Sequence, residues 1–155
     1  MKNVVFILAA VLMAVIVNAQ PADFTGKWKL NSSKSTLNDQ FSLAPNEVIV
    51  NQEISLINVE KHSNFQGTDY TINDKYTLDG QESVNEGWQG AEKKSVATWD
   101  ENKQLLTVKS KLPMQDGTEV SITEIYKMKD NDLVIESVAS SSYGDLYETM
   151  VYDRQ

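Results

Sequence analysis

Beyond Asp23, apolar and polar side chains alternate one by one, and this period of two confines the chain to β-strands that bury a single face. The clearest stretch is Tyr70-Thr71-Ile72-Asn73-Asp74-Lys75-Tyr76-Thr77-Leu78, whose even positions are mostly apolar or aromatic. The pattern returns over residues 120–128, and eight further stretches of similar length fit it: 25–30, 47–52, 54–61, 81–85, 91–99, 104–111, 133–139 and 146–153. Short polar turns separate many of them. Asp79-Gly80 predicts a tight hairpin turn, and Asp100-Glu101-Asn102-Lys103, Gln115-Asp116-Gly117 and Asp130-Asn131-Asp132 predict others. Strands in such close succession predict an all-β, antiparallel up-and-down arrangement. Closing it into a barrel removes the free edges along which sheets aggregate. The expected count is eight to ten strands, because weak stretches such as 81–85 could merge into loops. Residues 31–46 form the single long connection, ended by Pro45; a short helix and a loop over one barrel mouth both fit it.

The first residues obey a different rule. Lys2 precedes an almost unbroken apolar run from Val4 to Val17, and Val17-Asn18-Ala19 ends in the small residue that signal peptidase prefers. Residues 1–19 are expected to be a signal peptide and residues 20–155 the mature domain. The apolar run is shorter than the roughly 20 residues of a membrane span, so no span is expected once the signal is removed. The chain carries a net charge of −8, one unit more negative when Lys2 leaves with the signal. Nucleic acids and anionic membranes bind through clustered basic side chains, and these are absent; no nucleic-acid partner is expected. There is no cysteine, which excludes disulfides, thiolate metal sites and a lipid-modified cysteine tether. The expected location is therefore exported, periplasmic or secreted.

Phe24-Thr25-Gly26-Lys27-Trp28-Lys29-Leu30 resembles the opening strand of the calycin superfamily, which includes lipocalins and intracellular fatty-acid-binding proteins. The resemblance implies a Gly-x-Trp, here Gly26 and Trp28, with a basic residue of the last strand packed across the indole. Arg154, the single arginine, stands in that place. A guanidinium over an indole gains cation–π attraction while its fork bonds backbone carbonyls, latching the first strand to the last. The other end, Thr149-Met150-Val151-Tyr152-Asp153-Arg154, resembles the end of fatty-acid-binding proteins. There an inward cation that docks a carboxylate precedes an inward Tyr by two positions. Tyr152 matches the Tyr, but Met150 replaces the cation, a departure that argues against fatty-acid binding. The whole pattern is also similar to lipocalin-like domains of exported bacterial proteins. The fold implied is a lipocalin-like barrel.

If the even faces point inward, Tyr70, Ile72, Tyr76, Leu78, Val120, Ile122, Tyr126 and Met128 line the interior, joined by Met150 and Tyr152. They either wall a ligand cavity or simply fill a core. The same faces carry Asp74, Glu124 and Glu148 with no Lys or Arg among them. Buried carboxylates without cations are costly, so these are expected to sit at a wet mouth, hold a proton or meet a ligand's donor. The expected ligand is then a small apolar molecule, neutral and hydroxylated or amine-bearing, with Tyr70, Tyr76, Glu124, Tyr126, Met128, Met150 and Tyr152 as its contacts.

Catalysis is poorly supplied. His62 is the sole histidine, beside Lys61, and reads as a solvated strand residue; no Ser-His-Asp or multi-His metal constellation, no haem and no other cofactor is expected. Asp74 with Glu124 could serve as an acid–base pair, but a chain with 22 acidic residues offers many such pairs. Trp88, between Gly87 and Gly90, is expected at a loop tip. The sequence thus leaves two non-enzymatic functions: binding of a small apolar ligand inside the barrel, or a protein-interaction or inhibitor module with a filled barrel acting through its loops. It sets no oligomeric state.

Overall fold

The computed structural model describes residues 20–155, so the expected signal peptide at 1–19 lies outside the described residues. All ten alternating stretches form strands: β1 (Gly26–Leu30), β2 (Glu47–Gln52), β3 (Leu56–Phe65), β4 (Thr68–Thr77), β5 (Glu82–Glu86), β6 (Glu92–Trp99), β7 (Leu106–Pro113), β8 (Glu119–Lys129), β9 (Asp132–Ser141) and β10 (Gly144–Arg154). They make one antiparallel sheet in the order β4-β3-β2-β1-β10-β9-β8-β7-β6-β5. The first strand lies beside the last, with Trp28 opposite Arg154 and Leu30 opposite Tyr152, and the sheet curls into a nearly closed up-and-down barrel.

The place where closure stops differs from the sequence expectation. Asp79-Gly80 does turn the chain, but β4 and β5 share no backbone ladder, so the expected hairpin is absent. Side chains bridge the seam instead. The Asn85 amide accepts from the Lys75 N–H at 2.8 Å and donates to the Lys75 carbonyl at 3.1 Å, imitating one rung of a ladder. The Ser83 hydroxyl accepts from the Thr77 N–H at 3.1 Å. Nearer the end of the seam, the Tyr70 and Trp88 rings meet at 5.2 Å.

Residues 31–46 form a loop over one barrel end rather than a helix. Short polar side chains there take up local backbone groups that a helix would need. Asn38 Oδ1 accepts from the N–H groups of Gln40 and Phe41, and Asn31 Oδ1 accepts from Lys34 N–H. We call this end, which also carries the β3–β4, β5–β6, β7–β8 and β9–β10 turns, the mouth.

The opposite end is plugged. Phe24 stacks on Trp99 at 5.8 Å and touches Tyr126 at 6.1 Å, while Trp28 Nε1 donates to the Phe24 carbonyl at 2.9 Å. Arg154 lies over the Trp28 ring, its guanidinium carbon 4.3 Å from the centroid, and Nη1 donates to the Thr25 carbonyl at 3.1 Å. Gly26 makes room for this contact, since a Cβ there would lie 2.7 Å from Arg154 Nη1 and 3.2 Å from Trp28 Nε1. Because Trp28 is wholly buried, Trp28→Ala is expected to cost about 3–5 kcal/mol of unfolding free energy. Arg154→Ala, which removes only the exposed half of the latch, is expected to cost about 1 kcal/mol. Urea unfolding of both variants checks this; an unchanged midpoint for Arg154→Ala would show that the strand ends hold without the latch.

Candidate functional site

Alternation along the strands sorts the barrel interior into three levels. Lowest, next to the plug, Val50, Ile57, Leu106, Leu133 and Tyr126 are packed solid. Highest, toward the mouth, the inward positions Tyr70, Ile72, Ile122, Ala139 and Leu146 are apolar and only half-buried. Between them lies a level of charge.

Lys61 on β3 reaches across the interior to β8, where its Nζ donates to both Glu124 oxygens at 2.7 and 2.9 Å. It also stands 3.5 Å from Asp74 of β4, and Lys93 of β6 touches Asp74 from the other side of the seam. All four side chains are buried. This corrects the expectation that the inner faces hold carboxylates without cations. The signal was present in the alternation: Ile57 and Val59 face inward, so Lys61 two residues on does too, and Ala97 and Ser95 carry the same parity to Lys93. Lysine usually marks an outer face, and these two are exceptions.

The network holds charge more fully than it satisfies hydrogen bonds. No donor to either Asp74 oxygen is well aligned, and the buried Tyr76 hydroxyl makes no well-aligned hydrogen bond, although Lys93 and Tyr76 both lie close enough to help hold Asp74 ionised. Burial pushes the Asp74 carboxyl up, but the charges of Lys61 and Lys93 outweigh it and hold the group below its ordinary value. Burial pushes the Tyr76 and Tyr126 hydroxyls well above theirs, with Glu124 adding to the rise. Tyr126 donates weakly to Glu124 at 3.4 Å.

The remaining expected contacts are dispersed. Met150 and Tyr152 are buried, and the Tyr152 hydroxyl donates to the Pro45 carbonyl at 3.2 Å. Met128 packs against the lower core, and Tyr70 leans on Trp88 at the seam. Glu148 meets backbone donors, not a ligand: its oxygens accept from the N–H groups of Asn38 at 3.0 Å and Leu43 at 3.1 Å, pinning the loop over the mouth. Trp88 sits exposed on a single 3₁₀ turn, Trp88–Gly90, as its glycine flanks imply.

Two surface pockets lie apart from the charged level. One, about 330 Å³, is lined by His62, Tyr70 and neighbours; the other, about 290 Å³, by Thr36, Tyr147 and neighbours. At the first, the Thr71 hydroxyl, His62 and Glu60 stand in line at 3.2 and 2.6 Å, so both His62 ring nitrogens have partners.

No family model matches the chain, and no curated protein matches it. Solved structures do. A zebrafish ileal bile acid-binding protein, solved with cholic acid, superposes with TM-score 0.57 at 15% identity, covering 85% of this chain and 98% of that one. An SAHS (secretory abundant heat soluble) protein of Ramazzottius varieornatus gives 0.56 at 14% identity over 85% and 95%. Fatty-acid-binding protein 1 of Echinococcus granulosus gives 0.52 at 15% identity over 84% and 96%. At such identities the likeness is one of fold, a calycin-type barrel.

The shifts set the pH response. Tyr76 and Tyr126 keep their protons above the ordinary 10.0, so their stabilisation is complete below that pH and is lost as pH rises through their folded values. Asp74, held below 3.8, acts oppositely: its contribution is present above that pH and is lost as pH falls through the folded value. In an alkaline absorbance titration, Tyr76→Phe is expected to leave the native tyrosinate step unchanged and shrink only the step that accompanies unfolding. A smaller native step would mean that Tyr76 is open to solvent.

Proposed function

We propose that the protein is a non-catalytic binding barrel, exported to the periplasm or outside the cell, that holds a small, uncharged, hydroxyl-bearing amphiphile in its upper half. The observation that carries this reading is the level of half-buried apolar side chains near the mouth, set directly above buried polar groups, Asp74 and Tyr76, whose contacts with one another and with Lys93 are poorly aligned. A buried acceptor without an aligned donor is costly, and a hydroxyl group brought by a ligand relieves that cost. The apolar part of such a ligand fits against Ile72, Ile122, Ala139 and Leu146.

Charge balance selects against the ionic alternatives. Lys61 and Lys93 are already engaged by Glu124 and Asp74, so a fatty-acid carboxylate would have to displace one of them. The same balance removes the reason to expect an amine. Two of the structural neighbours are named for bile-acid and fatty-acid binding, which places small amphiphiles among the occupants of this fold. The leader-like run at 4–17 supports an exported location.

Titration with a monoacylglycerol and with the fatty acid of the same chain length, followed by native mass spectrometry, tests the proposal. The neutral ester is expected to bind about tenfold or more tightly than the acid, a difference of about 1.4 kcal/mol. Tighter binding of the acid, or uptake of neither ligand, would overturn it.

A further inference from the structure

We infer that the mouth of the barrel is a docking surface for a cationic, amphipathic segment of a partner protein. The inference stands on the outside of the molecule and is independent of what the interior holds.

Among the described residues, each of the five connections at the mouth presents a large apolar side chain to solvent. These are Phe41 and Leu43 from the β1–β2 loop, Phe65, Trp88, Met114 and Tyr143, the last 86% exposed. Scattered exposed hydrophobes are ordinary, but one from every loop at a single end is a patch. The patch is also a built ring, since each loop touches the next. Phe41 meets Phe65 edge-on at 5.9 Å, and Tyr70 at the foot of the β3–β4 turn meets Trp88 at 5.2 Å. Gln115 donates to Gln89 at 2.7 Å, and the Tyr143 hydroxyl donates to Asp116 at 3.3 Å. Glu148 closes the circle by holding the β1–β2 loop against β10.

Charge selects the occupant. Every one of these connections carries an acid, Asp39, Asp69, Glu86, Asp116 and Asp145 among them; the one lysine in them, Lys34, is paired with Asp132 and Asp153, and Lys94 and Lys111 beside them pair with Glu92 and Glu119. The opposite end is mixed, with Lys103, Lys129 and Arg154 at or beside its connections. An apolar ring whose acids outnumber its cations complements a segment that alternates apolar and basic side chains. It repels an anionic lipid surface. Trp88 and Tyr143 offer faces to the incoming cations as well.

The test titrates the purified protein with a synthetic Lys/Leu amphipathic peptide, with the same peptide carrying Glu for Lys, and with phosphatidylcholine vesicles, reading tryptophan fluorescence, to which the exposed Trp88 contributes, and calorimetry. Two triple variants of equal charge accompany the unsubstituted protein: D39N/E86Q/D116N at the mouth and E53Q/E101Q/D130N at the far end. The proposal expects binding of the Lys/Leu peptide alone, weakened about tenfold or more by the mouth variant and by raising salt to about 0.5 M, and within about twofold of unsubstituted affinity in the far-end variant. Equal weakening in both variants would reduce the effect to net charge and overturn the proposal. Binding of the Glu peptide with comparable affinity, or binding of the vesicles in place of the peptide, would overturn it too.

Discussion

The fold turns on the contact between Lys61 and Glu124. The two residues stand on β3 and β8, on opposite walls of the barrel, and the ammonium group spans the interior to meet both carboxylate oxygens. Charges at such a depth are tolerable only in company. Removing either partner leaves the other buried and uncompensated, whereas together they fix the distance between walls that no backbone ladder connects. Asp74 and Lys93 extend the same network across the seam where β4 and β5 fail to pair. One cluster therefore spans the barrel and closes its weakest join.

That charged level also divides the interior by use. Below it, aromatic and aliphatic side chains pack without solvent access and the termini are locked by Trp28 and Arg154. Above it, inward positions stay half-buried, the covering loop hangs from Glu148, and the rim turns aromatic and acidic. Stability concentrates in the lower half, and the upper half carries what remains open for recognition. A packed base that supports adaptable loops is a common setting for binding and catalytic sites alike.

The strands were legible in the sequence because burial of one face imprints a period of two, and every stretch with that period became a strand. The latch was legible because Trp28 and Arg154 belong to strands whose order is set once the sheet closes. The seam was not: Asp79-Gly80 carries the chemistry of a hairpin turn, and nothing local tells a turn that pairs its strands from one that parts them. The charged level was half legible. Its carboxylates stand out as costly inward residues, but Lys61 and Lys93 do not, because they fall outside the two stretches where the alternation is clearest and lysine is seldom buried. The ring at the mouth depends on five loops distant in sequence, and alternation says nothing about which loops touch.

The most direct test of this account is a double-mutant cycle on Lys61→Met and Glu124→Leu, measured by urea unfolding. Each single variant is expected to lose about 3–5 kcal/mol, because it strands a buried charge, and the double variant is expected to lose much less than the sum. Additive losses would contradict it, since they would mean that the two side chains stabilise the barrel separately and that no strut crosses its interior.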